Sequence, residues 1–293
     1  MRQILFAVMV AVCFSEALFG QDILGKISCH AAGLSKSENR SYKQKLWEGY
    51  EISLGPARGS QGGGDECTAA IYNAAGRVVF RTTGYSVIFD EKHTGEDFDG
   101  DGKPEVVFLT DTGGGNHCCW AYNVISLSAK PHKLFDIEAP GSVIFEKDNQ
   151  GKMVIWQRVA GPYGFTSMAR APFAEKVFRI RGDQPVDATP EFCSRIFSDK
   201  NEDYQAWKAE LTAENIKLLQ SMGNTFVENE EIVSALLSRA LQHVFCRQFD
   251  AATSELNLWP EAQRKEMKAQ FAEGIKKDYP EFAASLLDSS PKK

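Results

Sequence analysis

The stretch best suited to chemistry is Asp97-Phe98-Asp99-Gly100-Asp101-Gly102-Lys103-Pro104-Glu105, which runs directly into the apolar Val106-Val107-Phe108-Leu109. Carboxylates at alternate positions of a tightly turned backbone can aim several oxygens at one centre, as a hard cation such as Ca2+ requires. Asp97, Asp99 and Asp101 supply the alternation, Gly102 permits the turn, the Lys103 carbonyl is the expected backbone ligand and Glu105 closes the set. An unoccupied loop of this composition repels itself, and Glu96 adds to the repulsion. A cation relieves that conflict.

The spacing excludes an EF-hand, whose bidentate Glu falls at loop position twelve; counted from Asp97, that position is Phe108. Ser86-Val87-Ile88-Phe89 before the loop and Val106 to Leu109 after it are rich in β-branched and aromatic residues, so the loop is expected to join two strands. With acids at positions one, three, five and nine, it resembles the FG-GAP or VCBS-type calcium loop of secreted bacterial proteins. The resemblance implies a single Ca2+ bound by Asp97, Asp99, Asp101, Lys103 and Glu105, and covers about a tenth of the chain. No second Asp-x-Asp-x-Asp-Gly occurs, so the repeated blades of a complete propeller are not expected.

A second unusual stretch follows, Gly113-Gly114-Gly115-Asn116-His117-Cys118-Cys119-Trp120. Thiolate and imidazole suit copper or zinc. Adjacent cysteines fit poorly around one tetrahedral ion, and export favours their oxidation, so disulfides are the expected state. His93 and His117 flank the module and could join Asp111 in an acid/base cluster. No Gly-x-Ser-x-Gly elbow and no His-Glu-x-x-His zinc helix accompanies them. Arg181-Gly182-Asp183 spells an integrin-recognition tripeptide, which ordinary turn chemistry before Pro185 also explains.

The elements that must position these residues follow from the rest of the chain. Residues 1–20 read as a secretory signal peptide: Arg2, an apolar run from Ile4 to Phe14, then small residues. The run is too short to span a membrane, and no later stretch is long enough. Export to the periplasm or beyond then predicts disulfides among Cys29, Cys67, Cys118, Cys119, Cys193 and Cys246. Cys193 and Cys246 are plausible mates within the helical part, which leaves the other four to arrange among themselves. A net charge of −6 without a basic cluster argues against nucleic acid.

Residues 21–44 read as an N-terminal tether or edge segment and 45–184 as a β domain of many short strands. Residues 185–288 read as a helical region and 289–293 as a tail. The clearest helix carries Ile232, Val233, Leu236, Leu237, Ala240, Leu241, Val244 and Phe245 at helical spacing. Glu202 to Met222 reads as one helix. The predicted class is α+β: an antiparallel β-sandwich or partial propeller-like β region followed by a C-terminal helical region. The function expected is that of an exported calcium-binding protein in a non-enzymatic binding or scaffold role at the cell envelope, towards a protein or glycan. The alternative is a secreted hydrolase using the His/Asp cluster.

Overall fold

A computed structural model describes residues 28–30, 42–56, 66–111, 120–128, 130–139, 143–161, 165–167, 170–182, 184–221 and 229–288. The signal peptide, His117, Cys118, Cys119, Asp183 and the tail 289–293 lie outside them. The fold is α+β, with three open antiparallel sheets and, among the described residues, seven α-helices.

The chain divides into two compact units, the first comprising Met1–Ala139 with Gly182–Gln184 and the second Pro140–Arg181 and Pro185–Lys293. In the first, β1 (Ser28–His30), β6 (Ser86–Phe89), β7 (Glu105–Asp111), β8 (Trp120–Ser126) and β9 (His132–Ala139) form one sheet in the order β1-β6-β7-β8-β9. A second sheet joins β2 (Tyr42–Lys45), β3 (Glu51–Pro56), β4 (Cys67–Tyr72) and β5 (Val78–Gly84) in sequence order. Alternate residues of both sheets point into one core that holds Ile52, Leu54, Ile71, Val87, Phe89, Val106, Phe108 and Ile125. Phe80 of β5 stacks on Phe108 of β7 at 6.1 Å between ring centroids. This is a sandwich.

The segment expected as a tether or edge segment holds strands at the edges of both sheets. Tyr42–Lys45 and Ser28–His30 are edge strands, and β1 is held because Cys29 turns inward and bonds Cys67 of β4. That bridge links the two sheets.

In the second unit β10 (Val143–Lys147), β11 (Met153–Ala160), β12 (Phe173–Arg181) and β13 (Gln184–Asp187) form a sheet in sequence order. Helices follow: α1 (Thr189–Ile196), α2 (Glu202–Glu210), α3 (Ala213–Ser221), α4 (Glu230–Phe245), α5 (Phe249–Leu256), α6 (Glu261–Ile275) and α7 (Pro280–Leu287). The expected boundary at 184/185 marks where helices begin, but the compact units part near 140, because β12 packs with the helices rather than with the sandwich. The single helix expected over 202–222 is two helices, broken at Leu211 and Thr212; the Thr212 hydroxyl receives the Asn215 N–H at the second start. All eight apolar residues read from the α4 pattern are buried.

One edge of β12 shows how α4 is fixed. The N–H groups of Phe173, Glu175 and Val177 point away from β11. They donate to Ser238 Oγ (2.9 Å), Gln242 Oε1 (2.7 Å) and Thr189 Oγ1 (3.0 Å). Gln242 returns a bond from Nε2 to the Glu175 carbonyl at 3.0 Å. Buried backbone donors need partners, and here side chains of the helices supply them.

Candidate metal centre

The acidic loop joins β6 to β7, as its flanks predict. Its neck continues the ladder: Gly95 N–H donates to the Glu105 carbonyl (2.8 Å) and Glu105 N–H to that of Glu96 (2.9 Å). Thr94 Oγ1 accepts the Val107 N–H at 3.0 Å. Within the loop each Asp accepts backbone donors. Asp97 takes Gly100 N–H (2.7 Å) and Gly102 N–H (3.0 Å), Asp99 takes Asp101 N–H (2.9 Å), and Asp101 takes Lys103 N–H (2.7 Å). Gly100 and Gly102 both sit at φ +82°, the left-handed region where a Cβ is strained. Phe98 plugs the turn into the core, 2% exposed, with its ring 6.3 Å from that of Phe135.

This path brings one oxygen each from Asp97, Asp99 and Glu105 within 4.8 Å of one another. Oxygens that share a cation at about 2.3–2.6 Å lie within roughly 5 Å of each other. Asp101 is not in that group. It is turned to the Lys103 ammonium, 3.8 Å away on the exposed side.

Glu105 is the unusual member. It is 0% exposed; Oε2 accepts the Phe98 N–H at 2.6 Å, while Oε1 is buried and accepts no hydrogen bond among the described residues. Burial pushes its carboxyl up to about 8, against the pull of the Phe98 N–H, and the charges of Asp99, Asp97 and Asp101 push the same way. Asp99 is also raised, first by burial and then by the charges of Asp101 and Asp97. A buried carboxylate oxygen with no partner, facing two further carboxylates, is costly unless something positive meets it. The donor set is all oxygen, which fits a hard cation.

The expected His/Asp cluster is not assembled among the described residues. His93 Nδ1 lies 2.6 Å from Asp90 Oδ2, and Asp90 Oδ1 also accepts the N–H groups of Lys92 and His93. The Thr94–Val107 bond places this turn beside the start of β7. Asp111 lies four residues further along the strand, roughly 14 Å away at strand rise. His117 and the Cys118-Cys119 pair fall outside the described residues.

Both disulfides seen join expected cysteines. Cys193–Cys246 links α1 to the end of α4, and Cys29–Cys67 settles one of the arrangements the sequence left open. Arg181 of the Arg-Gly-Asp tripeptide pairs with Glu191 at 3.4 Å. Sequence reading missed the Asp90 turn and the Phe98 N–H that orients Glu105; the only signal for the second was an apolar residue amid the acids.

No family model matches the chain, and no curated protein sequence matches it. Two solved structures share a limited likeness. The periplasmic lysozyme inhibitor of I-type lysozyme from Aeromonas hydrophila is 14% identical over 34% of this chain and 89% of that one, with a TM-score of 0.26. The structure of the Aeromonas hydrophila inhibitor in complex with Meretrix lusoria lysozyme is 14% identical over 34% of this chain and 85% of that one, with a TM-score of 0.25. TM-scores this low give the likeness no weight for fold or function.

Proposed function

We propose that the 97–105 loop binds Ca2+ and that the chain is an exported, non-enzymatic binding protein, its partner a protein or glycan of the cell envelope. The observation that carries the cation reading is Glu105: fully buried, with one oxygen unpartnered among the described residues and facing Asp97 and Asp99. Those three side chains would hold the ion. Asp101 and the Lys103 carbonyl complete the ligand set that the FG-GAP or VCBS-type resemblance implies. The ion's contribution is charge and rigidity: it offsets the carboxylate repulsion and pins the turn between β6 and β7. A binding role is favoured over hydrolysis because His93 sits beside the start of β7, away from Asp111 at its far end.

Thermal melting in EDTA and in millimolar calcium tests the cation site. An affinity near 0.1 mM gives about 1.4 kcal/mol at ~1 mM calcium. For a unit of this size that is a rise of roughly 3–6 °C. Asp99→Ala should lose the rise. Glu105→Gln should also lose it while melting no lower than the parent in EDTA, because the amide is neutral, like the protonated carboxyl that burial favours there. A parent protein that melts identically with and without calcium overturns the site.

A further inference from the structure

Beside the neck of the acidic loop lies a cleft of about 310 Å3, lined by Gln44, Lys45, Leu46, Trp47, Phe89, Glu91 and Thr94. It lies wholly within the sandwich unit, between the β2–β3 turn and the segment that leads from β6 into the loop.

The turn that carries Trp47 is built at a cost. Tyr50 N–H closes on the Trp47 carbonyl at 3.1 Å, and Leu46 N–H on the Tyr50 carbonyl at 2.8 Å. The two central residues both have positive φ, Glu48 at +52° and Gly49 at +77°. That is the primed-turn geometry whose twist suits a hairpin, and it normally takes Asn, Asp or Gly at the first central position. A Cβ on Gly49 would come within 2.9 Å of the Ala74 Cβ, so the turn is also clamped from outside. A glutamate held left-handed is backbone strain of the kind that collects at binding sites. Trp47, half-buried against the sandwich core, is the side chain this turn places.

The polar groups around Trp47 are largely unspent. Gln44 Oε1 accepts from Tyr42 Oη at 2.6 Å, which fixes the amide; among the described residues its Nε2 donors make no hydrogen bond. The Trp47 indole N–H and the Glu91 carboxylate likewise have no hydrogen-bond partner among the described residues. Glu91 makes itself felt on Tyr42, whose phenol is raised by burial and then by the Glu91 charge. Thr94 Oγ1 accepts from Val107 N–H and keeps its own proton to donate. Lys45 and Glu91 cancel in charge.

An aromatic face, a fixed amide, a hydroxyl, an indole donor and one carboxylate acceptor, with no net charge, suit a neutral molecule whose groups both donate and accept. Hydroxyls on an otherwise C–H-lined ring have that chemistry. We infer that this cleft is a subsite for a neutral pyranose of a glycan, the sugar ring lying on Trp47 and its hydroxyls reaching Gln44, Glu91 and Thr94. The inference rests on the reading of the protein as a binding protein, and not on the cation.

Calorimetric titration of the full chain with neutral trisaccharides built from glucose, galactose or N-acetylglucosamine tests it. At least one should bind with a dissociation constant near or below ~1 mM. Trp47→Ala and Gln44→Ala should each weaken that binding at least about tenfold, a loss of ~1.4 kcal/mol. Trp47→Phe, which keeps an aromatic face, should retain most of it. Parent-like melting of the Ala variants shows that they fold; if Trp47→Ala does not, Gln44→Ala and Trp47→Phe carry the test. Binding that persists in EDTA supports the cleft even where the calcium melting test fails. The inference is overturned if no neutral trisaccharide binds up to about 10 mM, if only charged sugars bind, or if Gln44→Ala and Trp47→Ala bind as the parent does.

Discussion

A buried carboxyl and a half-buried imidazole illustrate how differently burial can be resolved. Glu105 is surrounded by charges of its own sign. His243 in α4 has mixed company: Nδ1 lies 2.7 Å from Gln248 Oε1, Nε2 lies 4.0 Å from Glu255 Oε1, and the ring stacks on Phe197 at 4.5 Å. Arg239 bonds the same Glu255 at 2.6 Å. Burial is the largest influence and lowers the imidazole's pKa, ahead of the opposing effects of Gln248 and Glu255, while Arg239 lowers it further. The unfolded chain takes up this proton near pH 6.5 and the folded chain resists it. The contribution to stability is therefore complete above that pH and is lost as pH falls below it. Denaturant midpoints at pH 7 and pH 5 should differ less in His243→Phe, which keeps a ring on Phe197, than in the parent. An equal acid loss in both proteins would show that His243 is not among the groups responsible.

Elements carry the next level of stability, and the covalent staples are its clearest instance. Cys193–Cys246 closes a separation of 53 residues and sits in a small core with Val154, Trp156, Val177 and Ile196. Cross-linking a loop of this length contributes about 4 kcal/mol by the chain-entropy account, with measured values of roughly 2–4 common. The Cys193→Ala/Cys246→Ala double variant should lose about that much in denaturant unfolding, and a loss below about 1 kcal/mol would contradict it. This pairing was legible in the sequence, because both cysteines fall in the helical part of an exported chain. The course of the Asp97–Glu105 loop between two strands was legible for a similar reason: its carboxylates are neighbours in sequence, and Asp97, Asp99 and Glu105 do come together. The apolar stripe of α4 was legible from periodicity alone. What was not legible depends on distant partners. β1 and β2 read only as a tether or edge segment, because their polar, irregular residues become strands through pairing with β6 and β3. Nothing in the helical pattern marks Ser238 and Gln242, yet they meet the open edge of β12, sixty-odd residues earlier in the chain. The cleft at Trp47 lies between two segments whose proximity only the sandwich creates.

At the scale of the whole molecule, the two compact units hold different devices, and a perturbation aimed at one should report on that one. The acidic loop belongs to the first unit; α4, His243 and the Cys193–Cys246 bridge belong to the second. Among the described residues no helix is long and apolar enough to cross a membrane. Amide hydrogen exchange measures this partition directly, because each amide reports the free energy of the opening that exposes it. In the loop the relevant amides are already bonded to the proposed ligands: Phe98 to Glu105, Gly100 and Gly102 to Asp97, Asp101 to Asp99. An opening that frees them also releases the cation, so calcium should slow their exchange by the factor one plus concentration over dissociation constant. At ~1 mM calcium and an affinity near 0.1 mM that is about tenfold. The same slowing should extend to β6 and the start of β7, through the Gly95–Glu105 and Thr94–Val107 bonds. Amides of α4 should exchange at an unchanged rate, since α4 belongs to the other compact unit. Slowing confined to the loop, with none in β6 or β7, would mean that the ion orders a surface turn and does not secure the strand pair. Unchanged loop amides would remove the cation from the account, and the buried Glu105 would then stand as a carboxyl kept protonated by its surroundings.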